Sequence, residues 1–416
     1  MSSAGDRDAQ RRSVPELASC VRCGNCTAHC PSYRQAGTEG MGARGRAVLL
    51  KQFLDGALEP SALLDERIFT CILCGACNRL CPLGIDVTGA VYEGRRRLSA
   101  FNRKRKLLGL GMKLALKRPA LSFRVLQLIE GLNEVFSFRR LTPFGLLRQR
   151  GITVPGSGLR DGESLFRVSR PRGRVAVFAG CTANFLSPHL GGALIRSLNA
   201  LRYDVVLPKG EVCCGAPLMG LGRTGDAAEL AERNMSVFRK LRVEAVVGLC
   251  PTCVHFIKNE YRKLGGDGIG HALDVAQFFA GERLPAGSGA PVPRAASRVV
   301  YHDPCHALNY LGVSAEPRRI LRERGLTVSE AEGGCCGFGG SFRVLYPELS
   351  GSILEERREA YRSADMIVTS CPNCILQLRS GLGDKEVKHL IEIIEEGVKG
   401  EQTWERETRQ KTGRRS

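Results

Sequence analysis

Two short stretches of sequence decide the fold of this chain: CVRCGNCTAHCP at residues 20–31 and CILCGACNRLCP at residues 71–82. Each contains three cysteines spaced three residues apart and a fourth cysteine that stands directly before proline. In bacterial proteins with two such runs, the first three cysteines hold one [4Fe-4S] cluster and the fourth holds the other. The expected ligand sets are therefore Cys20, Cys23, Cys26 and Cys81 for one cubane cluster, and Cys71, Cys74, Cys77 and Cys30 for the second.

Structural zinc is the main alternative for these cysteines, because Cys-x2-Cys pairs also bind Zn²⁺. A zinc site needs neither a third evenly spaced cysteine nor a Cys-Pro pair, so the pattern favours iron–sulfur clusters. Between the two runs, residues 45–70 (GRAVLLKQFLDGALEPSALLDERIFT) have a helical pattern. This predicts an α-helical two-cluster ferredoxin domain over residues 16–92, rather than a compact β/α ferredoxin.

The C-terminal half of the chain contains a second set of cysteines that is repeated once. Each copy has a lone cysteine, then an adjacent pair followed by glycine, then a Cys-Pro-x-Cys group, and the copies are offset by 121–124 residues. Thiolates are the soft ligands that iron–sulfur assemblies use. We expect ten further metal ligands: Cys181, Cys213, Cys214, Cys250 and Cys253 in the first copy, and Cys305, Cys335, Cys336, Cys371 and Cys374 in the second.

Short apolar runs precede these cysteines, as in VAVFAG before Cys181 and MIVTS before Cys371, and helical patterns fill the gaps. Strands that alternate with helices indicate α/β domains with parallel sheets. Sites in such sheets gather at the carboxyl ends of the strands, which is where these cysteines fall. The sequence thus predicts a mixed fold with two repeated α/β cysteine-rich domains, over residues 175–295 and 296–398.

Most of the net charge of +19 lies in residues 93–174, which hold 20 Lys/Arg against 5 Asp/Glu and no cysteine. The spacing of apolar residues predicts a helix over 121–136, and KRKLLGLGMKLALKR just before it interleaves basic and apolar residues. The segment is either a basic helical connector between domains or an amphipathic surface for a partner subunit or an anionic membrane. Few aromatic residues accompany the basic ones, which disfavours nucleic acid as a ligand. Residues 399–416 are expected to form a disordered tail.

Several motifs that would indicate other functions are missing from the sequence. No Gly-x-Gly-x-x-Gly turn follows a strand, so we expect no flavin or NAD on this chain. The first residues contain no apolar export signal, and no apolar run is long enough to span a membrane. We therefore expect a cytoplasmic protein, either free or peripheral to the inner face of the membrane, whose reduced thiols bind metal rather than form disulfides.

The repeat resembles the CCG (cysteine-rich) domain of heterodisulfide reductase subunits. The order of one two-cluster ferredoxin domain and two CCG domains is similar to the iron–sulfur subunits of glycolate oxidase and of related lactate and anaerobic glycerol-3-phosphate dehydrogenases. The strings YHDPCHALNYLGV and CCGFGGSFRVLYPELS look most like the glycolate and lactate branch. The resemblance implies an oxidoreductase subunit that takes electrons from an FAD-dependent 2-hydroxyacid dehydrogenase subunit and passes them to quinone or another acceptor.

The resemblance also implies a noncubane [4Fe-4S] cluster on each five-cysteine group. The spacings of 31 and 35 residues in the first copy and 29 and 34 in the second leave open whether both groups hold noncubane clusters, both hold ordinary cubanes, or each kind occurs once. The alternative function is cleavage of a disulfide at a CCG cluster, as in heterodisulfide reductase; no catalytic residue is assigned. His302, Asp303 and His306 around Cys305, and His255 beside Cys253, either serve a cluster or form polar contacts at strand ends.

Overall fold

The computed structural model describes residues 15–119, 121–125, 157–162, 164–284, 298–383 and 385–398. The first of these ranges begins with the ferredoxin domain, whose core is formed by Leu50, Ile68, Ala90, Val91 and Leu98, all fully buried. The domain is helical, with helices at Asn25–Ala28, Pro31–Ala36, Ala43–Leu54, Ala62–Phe69, Ala76–Arg79 and Val87–Leu98, and 3-10 turns at Pro15–Ser19 and Glu39–Met41.

The structure divides the helical stretch predicted over residues 45–70 into two helices. The first ends at Leu54, and the second begins at Ala62. The chain turns between them at Gly56, whose φ of +82° favours glycine, and Pro60 cannot continue a helix. Ser61 then caps the second helix by accepting a hydrogen bond from the Leu64 amide at 3.1 Å.

A connector helix, Arg103–Lys117, follows the ferredoxin domain. Arg105 near its start forms a buried ion pair with Asp65, while Lys113 near its end pairs with Asp226 of the first α/β repeat. The helix therefore links the two domains. Residues 121–125 are also helical, and the rest of the helix predicted over 121–136 lies outside the described residues, as does the tail 399–416.

The first α/β repeat has a five-stranded sheet in the order β1-β3-β2-β4-β5, with β1 antiparallel and the other strands parallel. Its strands are β1 (Leu165–Phe166), β2 (Gly173–Phe178), β3 (Tyr203–Val206), β4 (Ala245–Gly248) and β5 (Ala272–Asp274). Its helices are Pro188–Ala200, Ala216–Gly220, Thr224–Phe238, Pro251–His255, Tyr261–Lys263 and Val275–Ala280, with a 3-10 turn at Leu159–Asp161 and π-helical turns at Thr182–Leu186 and Phe256–Glu260.

The second α/β repeat has a four-stranded, wholly parallel sheet in the order β7-β6-β8-β9. Its strands are β6 (Val299–Tyr301), β7 (Val328–Ser329), β8 (Met366–Thr369) and β9 (Glu386–His389). Its helices are Ala315–Glu323, Ser341–Leu345, Pro347–Ala360, Pro372–Arg379 and Leu390–Val398, with a π-helical turn at Ala307–Leu311.

One continuous apolar core runs through both α/β repeats. The helix Leu390–Val398 of the second repeat packs on Pro188–Ala200 of the first, with Ile391 and Ile394 fully buried and Arg196 paired with Glu395 at 2.5 Å. The predicted architecture, a helical ferredoxin domain followed by two α/β repeats with parallel strands, is confirmed. Within the described ranges, no helix combines the length and the apolar character that crossing a bilayer requires.

Candidate metal centres

The structure brings the eight ferredoxin cysteines together in two groups. Cys20, Cys23, Cys26 and Cys81 line one cavity, which we call the outer cavity. Cys30, Cys71, Cys74 and Cys77 line a second, the inner cavity. In each run the cysteine before proline lies with the first three cysteines of the other run. All eighteen cysteines lie within the described residues, and none of them forms a disulfide.

A third and larger cavity, the central cavity, lies where the two α/β repeats face each other and the ferredoxin domain. The loops that follow β2, β4, β6 and β8 line it, so the Cys-Pro-x-Cys groups of both repeats converge there. Its sulfur lining comes from Cys71 of the ferredoxin domain and from Cys181, Cys214, Cys250, Cys253, Cys305, Cys335, Cys336, Cys371 and Cys374. Cys213 lies just behind, with its Sγ 4.0 Å from that of Cys181.

The three cavities form a row, because neighbouring cavities share cysteines. Cys77 lines both the outer and the inner cavity, and Cys71 lines both the inner and the central cavity. Cys74 packs in one small apolar cluster with Cys335 and Cys305 of the second repeat. The second cysteine group is thus the one that adjoins the inner cavity.

The two five-cysteine groups also touch each other across the central cavity. The thiols of Cys250 and Cys371, the first cysteines of the two Cys-Pro-x-Cys groups, lie next to one another. Asn373 Nδ2 of the second repeat donates to Cys250 Sγ at 3.8 Å, and Asn373 Oδ1 accepts a 3.0 Å hydrogen bond from Thr182 of the first. The two groups are therefore neighbours in one site rather than two separate sites.

The chemistry of these cysteines fits soft metal binding. Burial raises the pKa of the Cys74 and Cys77 thiols well above the ordinary value, whereas hydrogen bonds from Cys213 and Cys253 lower the pKa of Cys214 to about 6. The buried sulfur atoms of Cys336 and Cys374 lie 3.3 Å apart and form no disulfide bond. Such crowded thiols are readily deprotonated by a bound metal, and iron–sulfur clusters are held by groups of four or more thiolates.

Two buried arginines also contact the cysteine groups, and no motif in the sequence singles them out. Arg46 is 1% exposed; its Nη1 donates to Ser32 at 2.9 Å and lies 3.8 Å from Cys30 Sγ. Arg95, 4% exposed, donates to the backbone carbonyls of Cys71 and, at 2.8 Å, of Gly220. Their positive charge next to the cysteine loops would stabilise thiolate and cluster charge.

The polar residues near Cys305 and Cys253 have different surroundings. Asp303 forms a 2.7 Å ion pair with Arg318, which is a structural contact at the strand end. His306 Nδ1 lies 3.4 Å from Cys305 Sγ, and His255 Nε2 lies 3.4 Å from Glu260. His302 is buried beneath the second group, with Nδ1 at 2.6 Å from the hydroxyl of Tyr361.

Comparison with protein families gives two matches along the chain. Residues 16–85 match the 4Fe-4S dicluster domain, and residues 175–258 and 299–379 each match the cysteine-rich (CCG) domain. Together these matches cover more than half of the chain, and they contain all eighteen cysteines.

Individual relatives align with this chain over nearly its whole length. A fumarate reductase (CoM/CoB) subunit of Methanothermobacter marburgensis is 29% identical, over 91% of this chain and 72% of the relative. The glycolate oxidase iron–sulfur subunit of Escherichia coli is 28% identical, over 92% of this chain and 95% of the relative. A subunit of the dihydromethanophenazine:CoB–CoM heterodisulfide reductase of Methanosarcina barkeri is 25% identical, over 92% and 94%. The chain therefore belongs to the family of iron–sulfur proteins that join a 4Fe-4S dicluster domain to two CCG cysteine-rich domains, as oxidoreductase iron–sulfur subunits do.

Proposed function

We propose that this chain is the electron-transfer subunit of a flavin-dependent 2-hydroxyacid oxidoreductase acting on glycolate or lactate. An FAD-dependent partner subunit oxidises the hydroxyacid, and this chain passes the electrons to quinone or another acceptor. Flavins accept two electrons, whereas each cluster carries one, so a row of clusters separates the pair and conducts it onward. The observation that carries the proposal is the row of three cavities with shared cysteines.

The proposed ligands follow from the cavities. The outer cavity would hold one cubane [4Fe-4S] cluster on Cys20, Cys23, Cys26 and Cys81, and the inner cavity a second on Cys30, Cys71, Cys74 and Cys77. The central cavity would hold further [4Fe-4S] clusters, cubane or noncubane, on the two five-cysteine groups. The glycolate branch is supported by the strings around Cys305 and Cys335 and by the near-complete overlap with the Escherichia coli glycolate oxidase protein.

Iron and acid-labile sulfide analysis with EPR tests the cofactor assignment on protein purified without oxygen. We expect about sixteen iron atoms per chain, four for each of four [4Fe-4S] clusters, with signals of two distinct kinds. Cys26→Ala should lose the signal of one ferredoxin cluster and Cys374→Ala that of one CCG cluster, each with about four iron atoms, while the remaining signals are retained. A content of about eight iron atoms, all lost in ferredoxin-domain variants, would instead mean that the CCG groups carry no cluster.

A partner experiment tests the function itself. The FAD-dependent subunit should co-purify with this chain and should bleach the visible absorption of its clusters when the hydroxyacid is added. A flavoprotein that neither binds nor reduces the clusters would refute the proposal. As a control, dithionite should bleach the clusters in either case, which separates a missing partner from a missing cluster.

Disulfide cleavage at the central cavity is the second candidate function. The contact between Cys250 and Cys371 favours it, because it places two five-cysteine groups on one cavity where a substrate could meet both. Disulfide-dependent oxidation of the dithionite-reduced protein would support this function. A reduced protein that stays reduced in the presence of disulfides would exclude it.

The exposed side chains of the connector helix support peripheral attachment of this chain to the anionic inner face of a membrane. Leu107, Leu110 and Leu114 are exposed to 70%, 47% and 64% along this basic helix. Helices with exposed apolar residues and a basic face bind anionic lipid surfaces. Sedimentation with phosphatidylserine vesicles, compared with neutral vesicles and with the variant Leu107→Ser/Leu114→Ser, tests this attachment; equal recovery in all three supernatants would exclude it.

A further inference from the structure

The two α/β repeats differ in one pair of buried side chains beside their cysteine groups. In the first repeat Phe178, three residues before Cys181, packs on Phe238 with ring centroids 5.6 Å apart. In the second repeat His302, three residues before Cys305, packs on Tyr361 with centroids 5.9 Å apart. Each pair joins the end of the first parallel strand of its repeat to the end of a long helix. A polar pair thus occupies the place that an apolar pair has in the first repeat.

His302 is aimed at the second cysteine group. Its side chain is 1% exposed, and one ring nitrogen lies with the Sγ atoms of Cys336 and Cys374 in a set whose members are all within 4.8 Å of one another. Nδ1 is engaged by Tyr361, so Nε2 is the nitrogen left for the sulfur atoms. Nε2 is fully buried and has no hydrogen-bond partner among the described residues. Buried polar groups without a hydrogen-bond partner are rare in folded proteins.

The neighbours of His302 determine which nitrogen carries the proton. Arg357, 1% exposed, lies next to the Tyr361 hydroxyl, to which a guanidinium group can only donate. The Tyr361 oxygen therefore accepts from Arg357, and its own proton points to His302 Nδ1. A neutral imidazole that accepts at Nδ1 bears its proton at Nε2.

We propose that His302 Nε2–H donates a hydrogen bond to the sulfur of a cluster held by the second cysteine group and makes that cluster easier to reduce than one held by the first group. This inference rests on the proposed cluster at Cys305, Cys335, Cys336, Cys371 and Cys374. Hydrogen bonds to cluster sulfur stabilise the extra negative charge of the reduced state. The first group has only the ring of Phe178 at this position. Since the second group adjoins the inner cavity, its cluster would be the preferred acceptor of electrons from the ferredoxin domain.

The test is an EPR-monitored redox titration of the cluster-loaded protein, in which Cys374→Ala identifies the signal of the second group. His302→Phe, which installs the residue of the first repeat, should lower the reduction potential of that signal. We expect a change of about tenfold in the ratio of reduced to oxidised cluster at a fixed potential, or about 59 mV for one electron. Phe178→Leu is the matched control in the first repeat and should leave the second signal unchanged.

Tyr361→Phe provides an independent variant, because it keeps the imidazole but removes the hydroxyl that fixes its tautomer. It should shift the potential in the same direction by a smaller amount. An unchanged potential in both variants, with iron content retained, would overturn the inference and leave the proposed function standing. A strong ¹⁵N coupling from labelled histidine, as a metal-bound imidazole gives, would also overturn it. Absence of any signal lost in Cys374→Ala would instead refute the proposed cluster itself.

Discussion

Replacement of Asp65 by asparagine is expected to lower the free energy of unfolding by about 3–5 kcal/mol, the usual cost of breaking a buried ion pair on one side. Both carboxylate oxygens of Asp65 accept hydrogen bonds from the guanidinium group of Arg105, at 2.5 and 2.9 Å. The two side chains are only 6% and 7% exposed, and Arg105 also lies 3.4 Å from the ring centroid of Phe69. Without the carboxylate, a positive charge stays buried at the start of the connector helix. Urea unfolding under anaerobic conditions measures the loss.

The matched control is Asp55→Asn. Asp55 forms an ion pair with Lys51 at 2.9 Å on the surface of the same domain, where the two side chains are 38% and 40% exposed. Exposed pairs contribute about 0–1 kcal/mol, so this variant should unfold almost like the parent. The double variant Asp65→Leu/Arg105→Met removes both charges and should recover most of the stability. Equal urea midpoints for Asp65→Asn and Asp55→Asn would show that the buried ion pair contributes no more to stability than the exposed one.

Replacement of Gly75 by alanine is expected to cost about 2–5 kcal/mol, combining left-handed backbone strain with overpacking. Gly75 has a φ of +76° in the loop of the second ferredoxin run. A Cβ there would lie 2.5 Å from two ring carbons of Tyr310 in the second α/β repeat. The ring cannot retreat, because its hydroxyl is hydrogen-bonded to Thr88 at 3.1 Å and it stacks on His255. Anaerobic urea unfolding again gives the magnitude.

Gly24 provides the comparison, since it occupies the same position in the first run with a φ of +86°. A Cβ at Gly24 would meet only the tip of Arg44, at 2.8 Å, and this flexible side chain can move away. Gly24→Ala should therefore cost about 1–2 kcal/mol, the backbone strain alone. Tyr310→Leu should reduce the cost of Gly75→Ala if the ring is its cause. Equal costs for the two glycine variants would show that contact with the second repeat contributes nothing.

The fold could be predicted where the sequence pattern acts locally. Three cysteines at intervals of three followed by Cys-Pro require a tight loop and a fourth ligand elsewhere, and the apolar runs before Cys181 and Cys371 indicate buried parallel strands. The apolar periodicity over 45–70 gives no sign of the break, which is marked in the sequence only by Gly56 and Pro60. Periodicity detects the faces of helices better than their ends.

The arrangement of the cavities could not be predicted, because it depends on contacts between distant residues. Cys71 lines the central cavity because the ferredoxin domain packs on the second repeat, where Tyr310 lies against Gly75 and Asn309 donates to the Cys74 carbonyl at 2.8 Å. Two buried arginines, Arg46 and Arg95, belong to no motif, and their roles appear only once helix packing buries them.

The protonation of His302 could not be predicted either, because it depends on distant residues. Sequence proximity places His302 near Cys305, but it does not say which ring nitrogen bears the proton. That tautomer depends on Tyr361 and Arg357, which lie more than fifty residues away in the sequence.

The repetition of the α/β unit within one chain has a consequence for how such a protein can change over time. Two identical subunits around a symmetry axis must accept every mutation twice, once on each side. Joined halves are free of that constraint, so a substitution useful on one side of the central cavity need not be tolerated on the other. The Phe178–Phe238 and His302–Tyr361 pairs are a visible case of such divergence. In a symmetric pair the two cysteine groups would be equivalent destinations for electrons, whereas the proposed hydrogen bond from His302 would make one of them preferred in this chain.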